Sequence, residues 1–311
     1  MKTILISGCA GFIGQNLIAR LIDKNKIIGI DNLYSSNFAS LDNFIKVKNF
    51  EFIKKSIIDI LEIDSEIDII INLACPASPP LYQKDPIFTL DTNYLGTKTL
   101  LELARKKSAI FIQASTSEIY GDPLVHPQSE NYFGNVNTTG VRSCYDEGKR
   151  IAETLCYEYR KIYDVKTRIV RIFNTYGPGM MPNDGRVISN FLVNSIRSIP
   201  LKIYGDGNKT RSFCYIDDMI DAFLKVIEID FDFPINLGNN TEISLNQLAN
   251  LIISNYGDNG IEILEATQDD PNTRKPDITK AEKILGWTPS VSIEDGIHDT
   301  YNYFKKYLDE S

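Results

Sequence analysis

Apolar and polar residues alternate along this chain in two rhythms. Thr3-Ile4-Leu5-Ile6-Ser7 is a short β-rich run that stops at a group of glycines. Phe12 to Lys24 then sets Ile13, Leu17, Ile18 and Leu21 on one face of a predicted helix. Ile27 to Ile30 predicts a second strand, ending at Asp31. Ile67 to Leu73 is almost wholly apolar, as a strand covered on both faces must be, and Ala109 to Gln113 repeats the pattern. Helical patterns follow at about 87–107 and 143–164, and Thr167 to Phe173 reads as a further strand. Strand and helix alternate up to about residue 175, which predicts an α/β fold on a doubly wound parallel sheet.

Beyond that point the rhythm changes. Pro178, Gly179, Pro182 and Gly185 interrupt the chain, and turn signals stand at Gly205-Asp206-Gly207 and Gly238-Asn239-Asn240. Residues 1–175 are therefore read as a sheet domain, and 176–311 mainly as a smaller lobe over the sheet's carboxyl edge.

Composition narrows the function. A chain of 311 residues leaves room for about two domains. With 43% apolar and 24% charged residues it has the make-up of a globular protein. No apolar run approaches the roughly 20 residues that cross a bilayer. The chain enters a strand pattern at once, so no signal peptide is expected. Cys9, Cys75, Cys144, Cys156 and Cys214 are an odd set at scattered spacings, so free thiols in a reducing cytoplasm are expected rather than a disulfide framework. His126 and His298 are the only histidines, and no Cys/His cluster has ligand spacing, so no metal is expected. A net charge of -8 argues against nucleic acid or an anionic membrane as partner, yet permits an anionic small ligand in a pocket of arginines.

The glycines carry the first chemistry. Gly8-Cys9-Ala10-Gly11-Phe12-Ile13-Gly14 has GxxGxxG spacing between a predicted strand and a predicted helix. Glycines there let the backbone turn tightly and approach a pyrophosphate, which then sits on the helix N-terminus. Asp31 stands 17 residues after Gly14, where a carboxylate accepts hydrogen bonds from the adenosine ribose and repels a 2′-phosphate. No Lys or Arg occurs in Cys9–Ile13, or in Asn32–Asn37 with its Asn32, Ser35 and Ser36, which favours NAD over NADP. Asp59, after a strand-like stretch, is assigned to the adenine, and Leu73 and Ala74 to the wall beside the cofactor. Such a site makes the sheet domain Rossmann-like.

The second chemical signal is Tyr145-Asp146-Glu147-Gly148-Lys149, whose tyrosine lies 131 residues beyond Gly14. Tyr145 and Lys149 are four apart in a helical pattern and share a face. An ammonium there lowers the tyrosine pKa, so that the phenol serves as acid or base near neutral pH. In this order and at this distance the two motifs resemble the extended short-chain dehydrogenases/reductases, whose chains weave between two lobes. That resemblance makes Thr116, in Ala114-Ser115-Thr116, the hydroxyl partner of Tyr145.

Over nearly its whole length the chain resembles a narrower family, the UDP-glucuronate decarboxylases (UDP-xylose synthases). The stretches that carry this are Asn72-Leu-Ala-Cys-Pro-Ala-Ser-Pro-Pro80, Ala114-Ser-Thr-Ser-Glu-Ile-Tyr-Gly-Asp-Pro123, His126-Pro-Gln-Ser-Glu130 and Cys144-Tyr-Asp-Glu-Gly-Lys-Arg150. Further on come Arg171-Ile-Phe-Asn-Thr-Tyr-Gly-Pro178, Asn183-Asp-Gly-Arg186, Tyr204-Gly-Asp-Gly207 with Thr210-Arg211, and Gln268-Asp-Asp-Pro271 with Arg274-Lys-Pro-Asp277. The resemblance implies a redox-neutral reaction: oxidation at sugar carbon 4 by NAD, loss of carbon dioxide, and re-reduction. It implies that Glu118 acts near carbon 5, that Asn174, Arg186 and Arg211 hold the diphosphate sugar, and that Arg274 reaches the reacting centre. Related 4,6-dehydratases carry an Asp where this chain has Ser117, and a decarboxylase has no departing water for that acid to protonate. His126 has no catalytic role in this scheme, and Cys144 and Trp287 are read as packing residues.

Two alternatives stay open at this stage. One is a 4-epimerase or 4,6-dehydratase acting on another nucleotide sugar; the other is a non-catalytic NAD-binding protein. In related enzymes the helices near 87–107 and 143–164 form a homodimer interface, and their apolar faces here suit either that or packing on the sheet alone.

Overall fold

The computed structural model describes residues 1–59, 62–257, 259–266 and 271–310. Residues 268–270 of the Gln268–Pro271 motif lie outside the described residues. Six strands, β1 (Thr3–Ser7), β2 (Lys26–Asp31), β3 (Phe50–Lys54), β4 (Ile69–Asn72), β5 (Ile110–Thr116) and β6 (Thr167–Ile172), join Ile235–Leu237 in one sheet. Its order is Ile235–Leu237, β6, β5, β4, β1, β2, β3. Every neighbouring pair is parallel. The strand order reverses between β1 and β4, so the carboxyl ends of those two strands open the crevice where α/β sheets hold ligands.

Strand alternation divides the sheet's apolar residues between two cores. Ile4, Ile6, Ile69, Ile71 and Ile112 face one side, and Leu5, Ile70 and Phe111 face the other. On the first side lie α1 (Phe12–Leu21), through Leu17 and Ile18, and a later helix through Met219, Ile220 and Phe223. On the second side Leu100, Leu101, Cys156 and Tyr159 come from the helices between β4 and β6. Fully burying each such side chain contributes roughly 1.5–3 kcal/mol.

The helix expected over 87–107 is instead a composite. Two short helices, α2 (Pro79–Lys84) and α3 (Pro86–Asp91), precede a π turn at Thr92–Gly96 and then α4 (Thr97–Lys107). At the π turn a side chain on Gly96 would lie 2.5 Å from Ile57, and Thr97 accepts a hydrogen bond from Asn72 at 3.2 Å. α5 (Ser143–Tyr163) is unbroken and stops at Asp164, which adopts a left-handed conformation with φ 55°. The helix expected over Phe12–Lys24 ends earlier, at Leu21.

After residue 176 the chain returns to the sheet. α6 (Val187–Ile196) leads to α7 (Ile216–Glu228), which packs on α1, and Ile235–Leu237 then joins the sheet edge beside β6. Outside the large sheet lie α8 (Leu245–Tyr256), a parallel pair Leu201–Tyr204 with Ile261–Leu264, and a three-stranded sheet. In that sheet Thr210–Ser212 lies between Glu242–Ser244 and Thr273–Arg274, which brings Arg211 and Arg274 side by side. α9 (Ile293–Glu310) closes the chain against α6. No helix among the described residues is long and apolar enough to cross a membrane.

Candidate active site

A cleft of about 1040 Å³ runs across the carboxyl ends of β1, β4, β5 and β6, with Arg186, Tyr204, Arg211 and Arg274 in its opposite wall. Ligand pockets run to about 300–1,000 Å³, so this cleft stands at the large end of that range. A side pocket of about 80 Å³ continues it toward Asp31.

One end is made of backbone. Gly8 has φ +68°, and a side chain on it would meet Leu73 and Ala74 at 2.9 Å. A side chain on Gly14 would lie 2.4 Å from the Gly8 carbonyl oxygen. The loop therefore folds back on the first turn of α1, whose N-cap Gly11 offers no side chain to cap the helix N–H groups. Those groups, and a cradle that any Cβ would fill, fit a pyrophosphate. Asp31 is buried beside this loop. Its carboxylate accepts from Ala10 N at 3.0 Å, Leu33 N at 2.8 Å and Ser36 Oγ at 2.9 Å. About four lone-pair directions are available on an ionised carboxylate, so one remains for a ribose hydroxyl. Burial, and then Asp31 itself, push the Cys9 thiol up, so Cys9 stays a neutral packing group here.

The middle is carried by β5 and α5. Tyr145 and Lys149 share the inner face of α5, both buried. Lys149 Nζ donates to the Ala114 carbonyl at 2.9 Å and lies 5.8 Å from the Tyr145 ring centre. Thr116, at the end of β5, accepts from Glu118 N at 3.2 Å, and its hydroxyl draws the Tyr145 pKa down. Tyr82 stacks on Tyr145 with ring centres 5.1 Å apart and planes 11° apart. The expected lowering of the Tyr145 pKa is not found. Burial raises it and the Cys75 thiol adds to this, against smaller downward pulls from Thr116 and Arg186. Lys149 is itself lowered by burial, and its ammonium is turned to Ala114.

The far end is a cluster of charges. Glu118 follows β5 in a short turn and accepts from Arg142 and from Arg274, the latter at 3.1 Å. Arg274 also donates to the Ser117 carbonyl. Burial opposes the charge on Glu118, but Arg274 and Arg142 hold its carboxyl at about 2, well below the usual range. Arg274 is 1% exposed, so this ion pair is shielded from solvent. Arg186 donates to the Ala77 carbonyl at 3.0 Å, tying the start of α6 to the Pro-Ala-Ser-Pro loop. Arg211 donates to the Thr210 carbonyl at 2.8 Å.

Gly8, Gly11, Phe12, Ile13, Gly14, Ser35, Ser36, Leu73, Thr116, Glu118, Tyr145, Lys149, Asn174, Arg186, Arg211 and Arg274 all line the main cleft. Asp31, Asn32 and Ala74 line the side pocket. Asp59 is exposed in the turn after β3 and lines neither; Ser56 and Ile57 stand in the wall where Asp59 was expected. His126 lies elsewhere, 2.9 Å from Glu242. Sequence reasoning missed Arg142 and Tyr82. Arg142 lies three residues before Tyr145, a spacing that sets it on the same helical face, and that signal was available. Tyr82 carries no such spacing; only the fold stacks it on Tyr145.

Comparison with known proteins agrees with this arrangement. The GDP-mannose 4,6 dehydratase family pattern matches residues 5–300. UDP-glucuronic acid decarboxylase 1 of Xenopus tropicalis is 46% identical over 310 residues, covering 99% of this chain and 73% of its own length. UDP-glucuronic acid decarboxylase 5 of Arabidopsis thaliana is 47% identical over 297 residues, covering 94% of this chain and 86% of its own. Among solved structures, UDP-glucose 4-epimerase of Thermotoga maritima with UDP-glucose gives a TM-score of 0.89 at 29% identity, over 98% of this chain and 99% of that one. UDP-glucuronic acid 4-epimerase of Bacillus cereus, in complex with UDP-glucuronic acid and NAD, gives 0.88 at 28% identity, also over 98% and 99%.

Proposed function

The chain belongs to the UDP-glucuronic acid decarboxylase family, and from that premise we propose that it converts UDP-glucuronate to UDP-xylose, using NAD that is regenerated in each cycle. The observation that carries the reading is Glu118, held between Arg142 and Arg274 beside Thr116 and Tyr145, with Ser117 where a dehydratase needs an acid.

NAD, when bound, supplies the hydride acceptor at carbon 4 and a positive charge that favours the phenolate of Tyr145. Thr116 and Tyr145 hold the carbon-4 hydroxyl, and Tyr145 takes its proton. The ketone formed at carbon 4 is β to the carboxylate on carbon 5. The bond from carbon 5 to the carboxylate breaks, carbon dioxide leaves, and the electron pair moves into the ketone as an enolate. The hydroxyls of Tyr145 and Thr116 donate to that enolate oxygen. Carbon 5 then takes a proton that comes from solvent and replaces the lost carboxylate, the ketone is reduced, and Tyr145 returns its proton to oxygen 4. The arginines serve anionic groups: Arg186 and Arg211, with Asn174, hold the diphosphate, and Arg142 and Arg274 meet the sugar carboxylate.

In this reading residues up to about 175 hold NAD and the later ones mainly hold the UDP-sugar. Asp31 selects NAD over NADP. The protein is a homodimer whose subunits meet through the composite helix 86–107 and α5, where Ile87 of α3, Tyr94 and Leu95 of the π turn, and Tyr157 and Ile162 of α5 are exposed. The five free cysteines support a reducing compartment, the cytoplasm.

The test is incubation with UDP-glucuronate and NAD, following gas and nucleotide sugar. Carbon dioxide with UDP-xylose is expected. UDP-galacturonate without carbon dioxide would make the protein a 4-epimerase. No reaction from folded, NAD-bound protein would overturn the proposal.

A further inference from the structure

Asp146 follows Tyr145 in α5 and has no part in the chemistry above. It is 6% exposed, and its Oδ1 is fully buried with no hydrogen-bond partner. Two more orphaned polar atoms lie in the same cluster, Arg142 Nε and the Tyr82 hydroxyl. An unpartnered buried carboxylate oxygen is costly when ionised and far less so when protonated. The groups that act on Asp146 come from three elements. Glu118 stands in the turn after β5, Arg274 in the strand Thr273–Arg274, Arg142 at the N-cap of α5 and Glu147 within that helix; Tyr82 of α2 feels Asp146 in turn. Arg142 gives a terminal nitrogen to Glu118 and makes no ion pair with Asp146, one helical turn on.

Charge counting shows what this arrangement does. Arg142 and Arg274 share one carboxylate, Glu118. If Asp146 is neutral, these four residues carry one net positive charge, beside the place proposed for the sugar carboxylate. If Asp146 ionises, these four residues are balanced, and the pull on a substrate anion falls by one charge, with Arg211 beside Arg274 as the remaining cation. Burial, with Glu118 adding to it, pushes the Asp146 carboxyl up to about 8, while Arg142 opposes this.

We propose that Asp146 is a positioning residue that works through Arg142: as the neutral acid it leaves that guanidinium short of one counter-charge, and the carboxylate of the sugar substrate supplies it. This rests on the decarboxylase reading and assigns to that site the means by which it prefers an acidic sugar over a neutral one.

The linkage has a definite sign. Rising pH ionises Asp146 in the free holoenzyme, so UDP-glucuronate must restore the proton in order to bind. Titration calorimetry of the NAD-loaded protein, in buffers of different ionisation enthalpy, should show proton uptake with UDP-glucuronate at alkaline pH and none with UDP-glucose. The KM for UDP-glucuronate should climb by about tenfold for each pH unit by which bound substrate raises the Asp146 pKa. Asp146→Asn should remove that climb, leaving a lower KM than wild type at alkaline pH. The idea is overturned by wild-type protein that takes up no more protons with UDP-glucuronate than with UDP-glucose. It is equally overturned by an Asp146→Asn protein whose KM follows the wild-type pH profile. The calorimetric arm needs only wild-type protein. A protein that releases carbon dioxide yet shows no such uptake loses only the role of Asp146, whereas absence of carbon dioxide removes the functional reading beneath it.

Discussion

At the cofactor end of the cleft the chain works with backbone; at the sugar end it works with side chains from distant segments. The glycine loop, α1 and Asp31 lie within 31 residues of the N-terminus, and their geometry follows from close approach and φ. The Glu118 cluster draws on residues 82, 118, 142, 146 and 274, from four separate segments that only the fold brings together. A backbone site tolerates no added atom. A side-chain site tolerates substitution in shape but not in charge. The two ends should therefore fail in different ways.

Tyr145→Phe removes the proton carrier and little else. Turnover should fall about 10²–10⁴-fold while bound NAD, read by absorbance after denaturation, stays at the wild-type level. Loss of NAD in this variant would mean that the two ends are not separable.

Arg274→Ala removes one of two cations from a buried carboxylate. Stability should drop by about 3 kcal/mol in urea unfolding, with UDP-glucuronate binding weakened and NAD binding kept. A variant as stable as wild type would show that Arg142 alone satisfies Glu118.

Gly14→Ala strikes the other end. Its Cβ would fall 2.4 Å from the Gly8 carbonyl oxygen, so the loop must shift. NAD should be lost on gel filtration and stability should fall by about 1–3 kcal/mol. Retention of NAD would show that the loop can move without losing its cradle.

Asp31→Asn keeps the shape and removes the charge. NAD affinity by calorimetry should fall about tenfold, with NADP gaining relative to NAD. An unchanged ratio would mean that the backbone amides, not the carboxylate, set the preference.

The smallest effect lies in acid. Glu118 has a folded pKa of about 2, below the roughly 4.3 of an unfolded chain. A depressed carboxyl stabilises the fold above the unfolded value, and that contribution is lost as pH falls from there through the folded value. The stability gap between wild type and Glu118→Gln should therefore close between about pH 4 and pH 2 in urea titrations. A gap of constant size across that range would remove the ion pairs as its cause.

Much of the fold was legible because its signals are local. The run Thr3–Ser7, the glycines and the helix after them announce one another within two dozen residues, and the four-residue spacing of Tyr145 and Lys149 survives any tertiary detail. The π turn at Thr92–Gly96 carried no such signal. Its neighbours are distant in sequence: Gly96 meets Ile57, 39 residues earlier, and Asn72 reaches Thr97. Asp59 was placed by analogy of position and is exposed, because the turn after β3 offers Ser56 and Ile57 to the pocket instead.

Taken alone, the amino-acid order determined the alternation of strands and helices, the dinucleotide loop and the acid–base pair, because backbone periodicity and glycine geometry act over a few residues. The tertiary structure decided the electrostatics. Spacing suggests a tyrosine lowered by its lysine, whereas burial raises Tyr145 and turns Lys149 to the Ala114 carbonyl. Whether a carboxyl such as Glu118 or Asp146 holds a charge depends on every cation and every lost water around it, and those come from segments that no local pattern connects.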